Sequence, residues 1–501
     1  MSGRLGRVPA EQPDASALDA LRRRALGVLS SLPSDALELG EVFRAAGHEL
    51  ALVGGPVRDA FLGRASADLD FTTSASPDQT LALLARWGDA HWDIGKEFGT
   101  IGARRFGGRR QNGPDDVVVE VTTYRSDEYD PTSRKPVVAF GDSLEGDLSR
   151  RDFTVNSMAV RLPQLTFVDP FDGLRDLAAG VLRTPVDPRQ SFDDDPLRMM
   201  RAARFAAQLG FAVSPEARAA IESMAERITI VSAERVRDEL SKLLVSSTPR
   251  DGLEVLVDTG LADHVLPELP ALRLEIDEHH RHKDVYEHSL TVLDKAIALE
   301  TGPDGAVPGA DLVLRLAALL HDIGKPRTRR FEAGGGVSFH HHEMVGAKLV
   351  AKRLKELRFD KATVSAVARL TELHLRFHGY GEGAWTDSAV RRYVTDAGPL
   401  LERLHRLTRS DCTTRNLRKA ARLSAAYDDL EARIGTLQEQ EQLDAIRPDL
   451  DGTQIMAVLG LSPGREVGEA YTFLLELRME RGPLGPEVAR EELLAWWATR
   501  S

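Results

Sequence analysis

The stretch LVGGPVRDAFLGRASADLDFTT, residues 52–73, decides the fold of the first part of the chain. An apolar run leads into Gly54 and Gly55, and the pattern then predicts a helix followed by a second strand. A Gly-Gly turn between a strand and a helix lets backbone N–H groups approach phosphate groups closely. Asp68 and Asp70 alternate on the second strand, so we expect both carboxylates on one face of a sheet.

A third carboxylate is predicted beside this pair. Glu120 lies inside the apolar run VVVEVTT, where a charge is costly to bury unless it is paired or binds a metal. Two like charges as close as Asp68 and Asp70 also favour a cation between them. Three carboxylates on adjacent strands beside a glycine turn suit two-metal phosphoryl transfer, with Mg²⁺ as the expected ion. The alternative is that Asp68 caps a turn and Asp70 is merely exposed.

The remaining pattern predicts an α+β protein, with a small mixed α/β head followed by an all-α neck, body and tail. A length of 501 residues is enough for several domains. The stretch 125–148 is rich in Ser, Asp, Pro and Gly and predicts a long mobile loop within the head. The expected segments are an N-terminal extension (1–35), the head (36–180), a helical neck (181–265), a helical domain (266–415) and a helical tail (416–501).

Bulk composition limits the class of protein. No apolar run is long enough to span a membrane and no secretory signal is visible, so we expect no membrane contact. Cys412 is the single cysteine, which fits a reducing cytoplasm. The formal net charge of −12 restricts any nucleic-acid surface to local basic patches, such as the run Arg327, Arg329 and Arg330.

The stretch DDPLRMMRAARF, residues 194–205, predicts a helix with several charged groups along one face. Arg198, Arg201 and Arg204 are three residues apart, and Asp195 lies one turn before the first of them. A carboxylate accepts from an exocyclic amine, and a guanidinium donates to ring acceptors as a planar fork. Together they can mimic a Watson–Crick edge that accepts C or A and rejects U or G. The alternative is an ordinary Asp–Arg surface pair.

A second set of metal-binding residue types follows in the body. His288 lies in VYEHSLTVL, His321 and Asp322 lie in LAALLHDIGKP, and Asp411 lies in TRSDCTTR. The aliphatic run before His321 would bury its helix, so the adjacent polar side chains need a partner. Imidazole and carboxylate groups together suit a divalent metal such as Mg²⁺, Mn²⁺ or Ni²⁺.

The head motifs resemble the nucleotidyltransferase superfamily, and within it the bacterial class II CCA-adding enzymes and poly(A) polymerases. The resemblance covers residues 50–240 in order, through GGPVRD…DLDF, EVTTYR, SRRDFTVNSMAV, VDPFDGLRDL, DDDPLRMMRAARFA and SAERVRDEL. It implies that Asp68 and Asp70 hold the catalytic metals, with Glu120 as the third carboxylate. The resemblance also implies a set of residues around the incoming nucleoside triphosphate, namely Gly54, Gly55, Arg58, Arg151 and Asp152.

In the resembled family the neck motif is an amino-acid template that selects CTP and ATP. That makes Asp195 and Arg198 the base readers here, while Arg201 and Arg204 would contact the nucleotide or support its pocket. The usual first residue of the motif is Glu, and this chain has Asp194 instead. The resemblance also implies that the 125–148 segment takes part in the switch from C to A addition, and that the body and tail bind tRNA.

The body motifs are similar to the HD-domain superfamily, whose ligands are a His, a His-Asp pair and a distant Asp. On this resemblance His288, His321, Asp322 and Asp411 hold a divalent metal. The histidines that occupy regions used for a second metal in some members are His341, His342 and His374. Such a domain implies hydrolysis of phosphoesters, and the alternative is a purely structural HD fold.

The resemblance predicts an enzyme that adds or repairs the CCA 3′ end of tRNA, using CTP and ATP and releasing pyrophosphate. Poly(A) polymerase activity is the closest alternative, although FGTIGARRFGG, residues 98–108, looks more like the CCA-adding variant. A partial enzyme that adds only CC or only the final A is a further alternative. The last is an HD phosphohydrolase whose head only docks RNA, and the complete set of head carboxylates argues against it.

Overall fold

The computed structural model describes residues 15–29, 32–64, 69–107, 116–128, 137–141, 143–273, 284–332, 337–380, 385–414, 416–441 and 447–500. Backbone contacts divide the chain into two compact units, Met1–Val265 and Leu266–Ser501. Among the helices that can be described, none is both long and apolar enough to cross a membrane.

The first unit combines a mixed sheet with helices that continue beyond it. Its helices are α1 (Ala15–Leu29), α2 (Ser34–Ala45), α3 (Gly55–Phe61), α4 (Pro77–Trp87), α5 (Leu144–Ser149), α6 (Gly173–Ala179), α7 (Pro188–Asp194), α8 (Leu197–Leu209), α9 (Pro215–Met224), α10 (Ala233–Leu244), α11 (Pro249–Asp258) and α12 (Ala262–Val265). Its strands are β1 (Leu50–Val53), β2 (Leu69–Thr73), β3 (Ala90–Trp92), β4 (Thr100–Arg105), β5 (Val117–Thr123), β6 (Arg125–Glu128), β7 (Val137–Phe140), β8 (Ala159–Leu162), β9 (Thr166–Val168), β10 (Val181–Leu182) and β11 (Ala212–Val213).

The main sheet of this unit has the strand order β3-β4-β5-β2-β1-β8-β9. Neighbouring strands are antiparallel except β2 and β5, which are parallel and pair Asp70 with Glu120. Alternate residues of β5 are buried while Glu120 is exposed, as expected for a strand with one face on a core. In β2, Asp70 is likewise exposed between buried neighbours. The sheet therefore presents both carboxylates on the same face.

Helix α8 follows the sequence prediction closely. Pro196 is its N-cap, and Gly210 ends it in the left-handed conformation with φ 70°. A residue with a Cβ is strained at this backbone angle, so glycine is favoured as the stop. Because ten of its thirteen residues are buried, the helix is anchored on nearly all sides.

Two features of the first unit differ from the sequence prediction. The segment expected to be a mobile loop, 125–148, contains the antiparallel pair of β6 and β7 and the start of α5. Val137, Val138 and Phe140 favour a strand. The Ser-, Asp- and Pro-rich composition of the surrounding region nevertheless favoured the prediction of a loop. Strand structure also persists beyond residue 185, since β11 pairs in parallel with β10.

Where the structure describes the second unit, its elements are helices and one short pair of strands. Its helices are α13 (Val285–Ala298), α14 (Leu312–Leu320), α15 (Lys325–Thr328), α16 (His342–Glu356), α17 (Lys361–Leu373), α18 (Asp387–Ala397), α19 (Leu401–Asp411), α20 (Leu417–Glu441), α21 (Gly452–Leu459), α22 (Arg465–Arg481) and α23 (Pro486–Ala498). The hairpin strands are β12 (Arg330–Phe331) and β13 (Val337–Ser338), which the sequence analysis did not predict.

The core of the second unit forms around α14. This helix, LVLRLAALL, is apolar on almost every side and is packed by α13, α17 and α19. A helix of this kind must lie inside a bundle, because no face of it can meet water favourably. Helices α21, α22 and α23 form a separate small cluster, in which Trp496 stacks on Phe473 with 4.7 Å between ring centroids.

Candidate active sites

The carboxylates of the head lie on two neighbouring strands. Asp70 on β2 and Glu120 on β5 are partners in the parallel register and share one face of the sheet. Adjacent strands are about 4.8 Å apart, close enough for two carboxylates to bind common cations. Asp68 directly precedes β2 but lies outside the described residues. The predicted pairing of Glu120 with the Asp68–Asp70 strand is therefore confirmed for Asp70.

The glycine turn brings an arginine from a distant part of the chain to the start of α3. Gly54 has φ 74°, and a Cβ built there would lie 3.2 Å from Nη1 of Arg151. At Gly55 the corresponding space is bounded by Arg58. The turn therefore combines a side-chain-free backbone with two guanidinium groups, an arrangement that favours anions. Four of the five residues implied by the family resemblance thus lie in one region, namely Gly54, Gly55, Arg58 and Arg151.

A chain of hydrogen bonds links the glycine turn to helix α8. Arg58 donates from Nη1 to Oδ1 of Asn156 at 2.8 Å, and Asn156 donates from Nδ2 to Oδ1 of Asp152 at 3.0 Å. The other carboxylate oxygen of Asp152 accepts from Nε of Arg201 at 2.7 Å. Burial tends to raise the pKa of Asp152, but the charge of Arg201 and the hydrogen bonds outweigh it and lower that pKa. Asp152 is therefore ionised at neutral pH and holds Arg201 in place.

The same network continues through α8 to α10. Nη1 of Arg201 lies 4.0 Å from Oε1 of Glu239, and Arg204 donates from Nε to Oε2 of Glu239 at 2.5 Å. The Arg204 guanidinium also lies over the ring of Phe205, 3.9 Å from its centroid. Arg201 and Arg204 are thus both engaged by carboxylates of the protein. Asn156 and Glu239 were not among the predicted site residues, although they lie in the motifs SRRDFTVNSMAV and SAERVRDEL.

The backbone N–H of Arg198 donates to the carbonyl oxygen of Asp195 at 3.0 Å, but the two side chains do not pair with each other. Asp195 accepts from the backbone N–H of Leu197 at 3.1 Å and from Nη2 of Arg235 at 3.1 Å. Its carboxylate is therefore fixed by the start of α8 on one side and by α10 on the other. Arg235 was not among the predicted site residues, although it lies within the SAERVRDEL motif.

The Arg198 side chain is buried and bonds to residues other than Asp195. Its Nη1 donates to Oγ and O of Ser191 at 2.9 and 3.1 Å, and its Nη2 donates to the carbonyl oxygen of Arg150. These bonds use three of the five N–H groups of a guanidinium. Among the described residues the other two N–H groups have no partner. Arg198 therefore connects α8 to the Arg150–Arg151 turn while retaining two donors.

The predicted metal ligands of the second unit converge on one point. Nε2 of His288 lies 2.9 Å from Oδ1 of Asp411, and Nε2 of His321 lies 3.2 Å from Oδ2 of Asp322. The two histidine Nε2 atoms are 3.3 Å apart. The four residues come from α13, the end of α14 and the end of α19, so the packing of the bundle assembles the site. The sequence prediction that these four residues meet is confirmed.

Helix ends determine how the histidines point. His321 and His374 follow the last residues of α14 and α17, where helix carbonyl groups lack intrahelical partners. Nδ1 of each ring contacts such a carbonyl oxygen, that of Ala318 at 2.8 Å and that of Thr371 at 2.6 Å. When Nδ1 carries the proton that this contact requires, Nε2 presents its lone pair to the centre. This is the orientation that a metal ligand needs.

A second group of ligand atoms shares Asp322 with the first. Nε2 of His342 lies 3.3 Å and Nε2 of His374 lies 4.0 Å from Oδ1 of Asp322. Both histidines are buried, and neither Nε2 has a hydrogen-bond partner among the residues that the structure describes. Burial lowers the pKa of His374 to about 3, so its ring is neutral and able to bind a metal at pH 7. His341 is different, because its side chain is 84% exposed and contacts Glu343.

These residues fit divalent metal binding better than a purely structural role. The two buried Nε2 atoms without partners would be costly in a site that never held a cation. The two oxygens of Asp322 face different sets of side chains. Oδ1 faces His342 and His374. Oδ2 faces His288, His321 and Lys325. Its surroundings hold the pKa of Asp322 well below its usual range, because burial is outweighed by the charges of His321 and Lys325.

Comparison with known proteins agrees with both sites. Residues 50–183 match the family described as "Poly A polymerase head domain", and residues 285–432 match "HD domain". Residues 210–272 match the "Probable RNA and SrmB- binding site of polymerase A". The fold and its two sites therefore define a nucleotidyltransferase joined to an HD domain.

The relatives identify the family more closely. The A-adding tRNA nucleotidyltransferase of Deinococcus radiodurans is 34% identical over 461 residues, which cover 89% of this chain and 95% of that protein. The CCA-adding enzyme of Levilactobacillus brevis is 39% identical over 264 residues, which cover 51% of this chain and 62% of that enzyme. The chain belongs to the family of tRNA nucleotidyltransferases and poly(A) polymerases.

A solved structure shows that the fold is shared. The crystal structure of the Bacillus stearothermophilus CCA-adding enzyme in complex with CTP superimposes with a TM-score of 0.65. The two chains are 23% identical, and the match covers 93% of this chain and 98% of that enzyme. At that level of identity the likeness concerns the fold.

Proposed function

We propose that this enzyme completes the 3′ end of tRNA by adding CCA from CTP and ATP. The observation that carries the proposal is the register of Asp70 with Glu120 beside a glycine turn that Arg151 approaches. This arrangement combines carboxylates for cations with guanidinium groups for a triphosphate. The membership of the family supplies the class of acceptor, an RNA 3′ end.

In the proposed reaction the terminal ribose hydroxyl of the RNA attacks the α-phosphate of the bound nucleotide, and pyrophosphate leaves. Asp68, Asp70 and Glu120 would hold Mg²⁺, which supplies activation of the hydroxyl and neutralisation of the phosphate charge. Arg58 and Arg151 orient the triphosphate against the backbone of the glycine turn. Asp152 fixes Arg201 beneath this site, so that α8 stays aligned with the turn.

Base selection is proposed to rest on Asp195 and Arg198. The Asp195 carboxylate retains acceptor capacity beyond its bonds to Leu197 and Arg235, since a carboxylate offers about four lone-pair sites. Arg198 retains two N–H donors after its bonds to Ser191 and Arg150. The edges of cytosine and adenine each present an exocyclic amine, which needs an acceptor, beside a ring nitrogen, which needs a donor. The bonds already made keep both side chains rigid, which favours selectivity.

A second candidate function is addition of the final A alone. The relative that this chain matches along 95% of its length bears the name A-adding tRNA nucleotidyltransferase, whereas the match to the Levilactobacillus CCA-adding enzyme covers 62% of that enzyme. Both candidates use the same carboxylates and differ only in the acceptor end and the nucleotide.

One experiment separates these candidates. Two tRNA transcripts, one lacking CCA and one lacking only the terminal A, are incubated with the enzyme, Mg²⁺ and CTP, ATP or both, and product lengths are read on a gel. CCA addition extends the first transcript by two residues with CTP and by three with both nucleotides. Extension of only the second transcript, by one residue with ATP, indicates A addition, and long tails from ATP alone indicate a poly(A) polymerase.

We propose further that the HD site binds divalent cations such as Mg²⁺, Mn²⁺ or Ni²⁺ and hydrolyses phosphate esters in the cytoplasm. The supporting observation is the pair of buried Nε2 atoms on His342 and His374 beside Asp322. The test is hydrolysis of p-nitrophenyl phosphate and of its bis-ester by the chelated enzyme after addition of each metal. A His321→Ala variant should lose this activity, and equal activity in the variant would contradict the proposal.

A further inference from the structure

Between two ligands of the HD site the chain makes a short excursion rich in arginine. We call residues 325–332, which comprise α15, β12 and their flanking residues, the basic arm. One end follows Asp322, whose Oδ2 accepts from Nζ of Lys325 at 2.6 Å. The return strand β13 leads to His342, whose Nε2 lies 3.3 Å from the other oxygen of Asp322. Both ends of the excursion are thus held at the metal site.

The backbone at the base of the excursion is tightly closed. A Cβ on Gly324 would lie 2.0 Å from the carbonyl oxygen of His342. Only glycine at residue 324 allows these two segments of backbone to approach so closely. Because the basic arm is a few residues long, it must remain beside the HD site and cannot reach a distant part of the unit.

The exposed groups of the basic arm are unlike an ordinary solvated face. Phe331 is 71% exposed, and the guanidinium carbon of Arg329 lies 4.6 Å from its ring centroid. Within the described part of the chain, Arg327, Arg329 and Arg330 form no ion pair. The arm's only acidic residue, Glu332, instead accepts from Oγ of Ser338 at 2.5 Å. Lys325 pairs with Asp322, and the three arginines with one acidic residue make a positive patch on a chain of net charge −12.

We propose that the basic arm is a stacking platform for single-stranded RNA at the HD site. An exposed aromatic ring flanked by arginines binds unpaired bases by stacking and the backbone by charge, without sequence preference. A duplex offers no free base faces for such a ring. A single exposed ring is also too small an apolar surface for a stable protein interface. The platform would place the end of an RNA strand against Asp322 and its neighbouring histidines.

Photocrosslinking tests this proposal on the full chain. The probe is a ten-nucleotide single-stranded RNA that carries 4-thiouridine, and crosslinked peptides are mapped by mass spectrometry. We expect a crosslink within residues 325–332 that falls at least about fivefold in Phe331→Ala and in an Arg329→Ala/Arg330→Ala variant. Crosslinks to other parts of the protein should persist in these variants. Matched controls are Leu417→Ala, at a residue 84% exposed, and Arg465→Ala, at a side chain 91% exposed.

Three outcomes would overturn the proposal. These are the absence of a crosslink in the basic arm while other sites react, an equal crosslink from a blunt RNA duplex, and an equal loss in the two control variants. Since crosslinking requires neither nucleotidyl transfer nor hydrolysis, failure of this inference is distinguishable from failure of the proposed function. Extension of the tRNA transcripts by each variant, measured in parallel, shows whether the head remains active.

Discussion

At the scale of single residues, the arrangement of Asp195 identifies a partner that spacing could not. Arg235 donates to one oxygen of Asp195, and the backbone of Leu197 donates to the other. Removal of Arg235 leaves the carboxylate held on one side only. We expect Arg235→Ala to lower kcat/KM for the correct nucleotide by about tenfold, the value of a charged hydrogen bond. Incorporation of GTP and UTP should rise relative to CTP and ATP.

The control for Arg235→Ala is Arg237→Ala on the same helix. Arg237 donates to Asp238, which has no part in the proposed base-reading groups. Selectivity among the four nucleotides should be unchanged in this variant. If Arg235→Ala lowered turnover of all nucleotides equally, its role would be structural and the assignment to base selection would be wrong.

The carboxylates of the head should each be needed for nucleotidyl transfer. Asp70→Asn preserves shape and removes the charge that would hold a cation. We expect nucleotidyl transfer to fall by at least about a thousandfold, because charge stabilisation at the transferred phosphate is the main catalytic contribution in this chemistry. Glu120→Gln should cost at least about tenfold. The rate of single-nucleotide extension measures both effects, and near wild-type extension by Asp70→Asn would show that the head is not the catalytic centre.

At the scale of elements, charged pairs join α8 to Asp152 in the segment after α5 and to Glu239 of α10. Asp152→Asn removes the charge partner of Arg201, whose other carboxylate contact among the described residues is Glu239 at 4.0 Å. Loss of a charge-assisted hydrogen bond to a buried carboxylate costs about 1.5–3 kcal/mol, which corresponds to a fall of about 3–12 °C in the melting temperature of a unit of this size. Calorimetry of the full chain measures the shift. The matched control, Glu216→Gln at an exposed pair with Arg183, should change stability by less than about 0.5 kcal/mol.

The pH dependence of this pair has a definite sign. The pKa of Asp152 is lowered in the folded protein, so its contribution to stability is present at neutral pH and is lost as the pH falls through that lowered value. The difference in melting temperature between the wild type and Asp152→Asn should therefore shrink in strong acid. A difference that stays constant from pH 7 to pH 3 and below would contradict the assigned ion pair.

Elements also show what the sequence could and could not predict. The adjacency of Glu120 to the strand of Asp70 was predictable, because a charge in an alternating apolar run must face out of the core. The partners of Arg198 and Asp195 were not, since Arg150 and Arg235 lie 48 and 40 residues away and meet them only through packing. The pair of β6 and β7 was missed because local composition outweighed its strand-forming residues. Local patterns thus predicted the elements, while long-range contacts decided the roles.

At the scale of the whole molecule, the two sites belong to different compact units and should be separable. Asp70→Asn should abolish nucleotide addition and leave metal binding by the HD site intact. His321→Ala should do the reverse. The readouts are extension of tRNA and the metal content of the full chain. If either variant abolished both functions, the two activities would share a single centre, contrary to the division of the chain at residue 265.

The number of metal ions in the HD site follows from the two ligand groups that share Asp322. We expect the chelated full chain, reloaded with Mn²⁺ or Ni²⁺ and desalted, to hold two ions, measured by mass spectrometry of the metal. His374→Ala should hold one, because it removes a ligand of the second group and leaves His288, His321 and Asp411 in place. His341→Ala is the matched control, since this neighbour of His342 is exposed and should leave both ions bound. Two ions in His374→Ala, or one in His341→Ala, would show that the buried histidines do not form the second site. The control is strict, because the exposed His341 and the buried His342 are adjacent and only His342 lies beside Asp322.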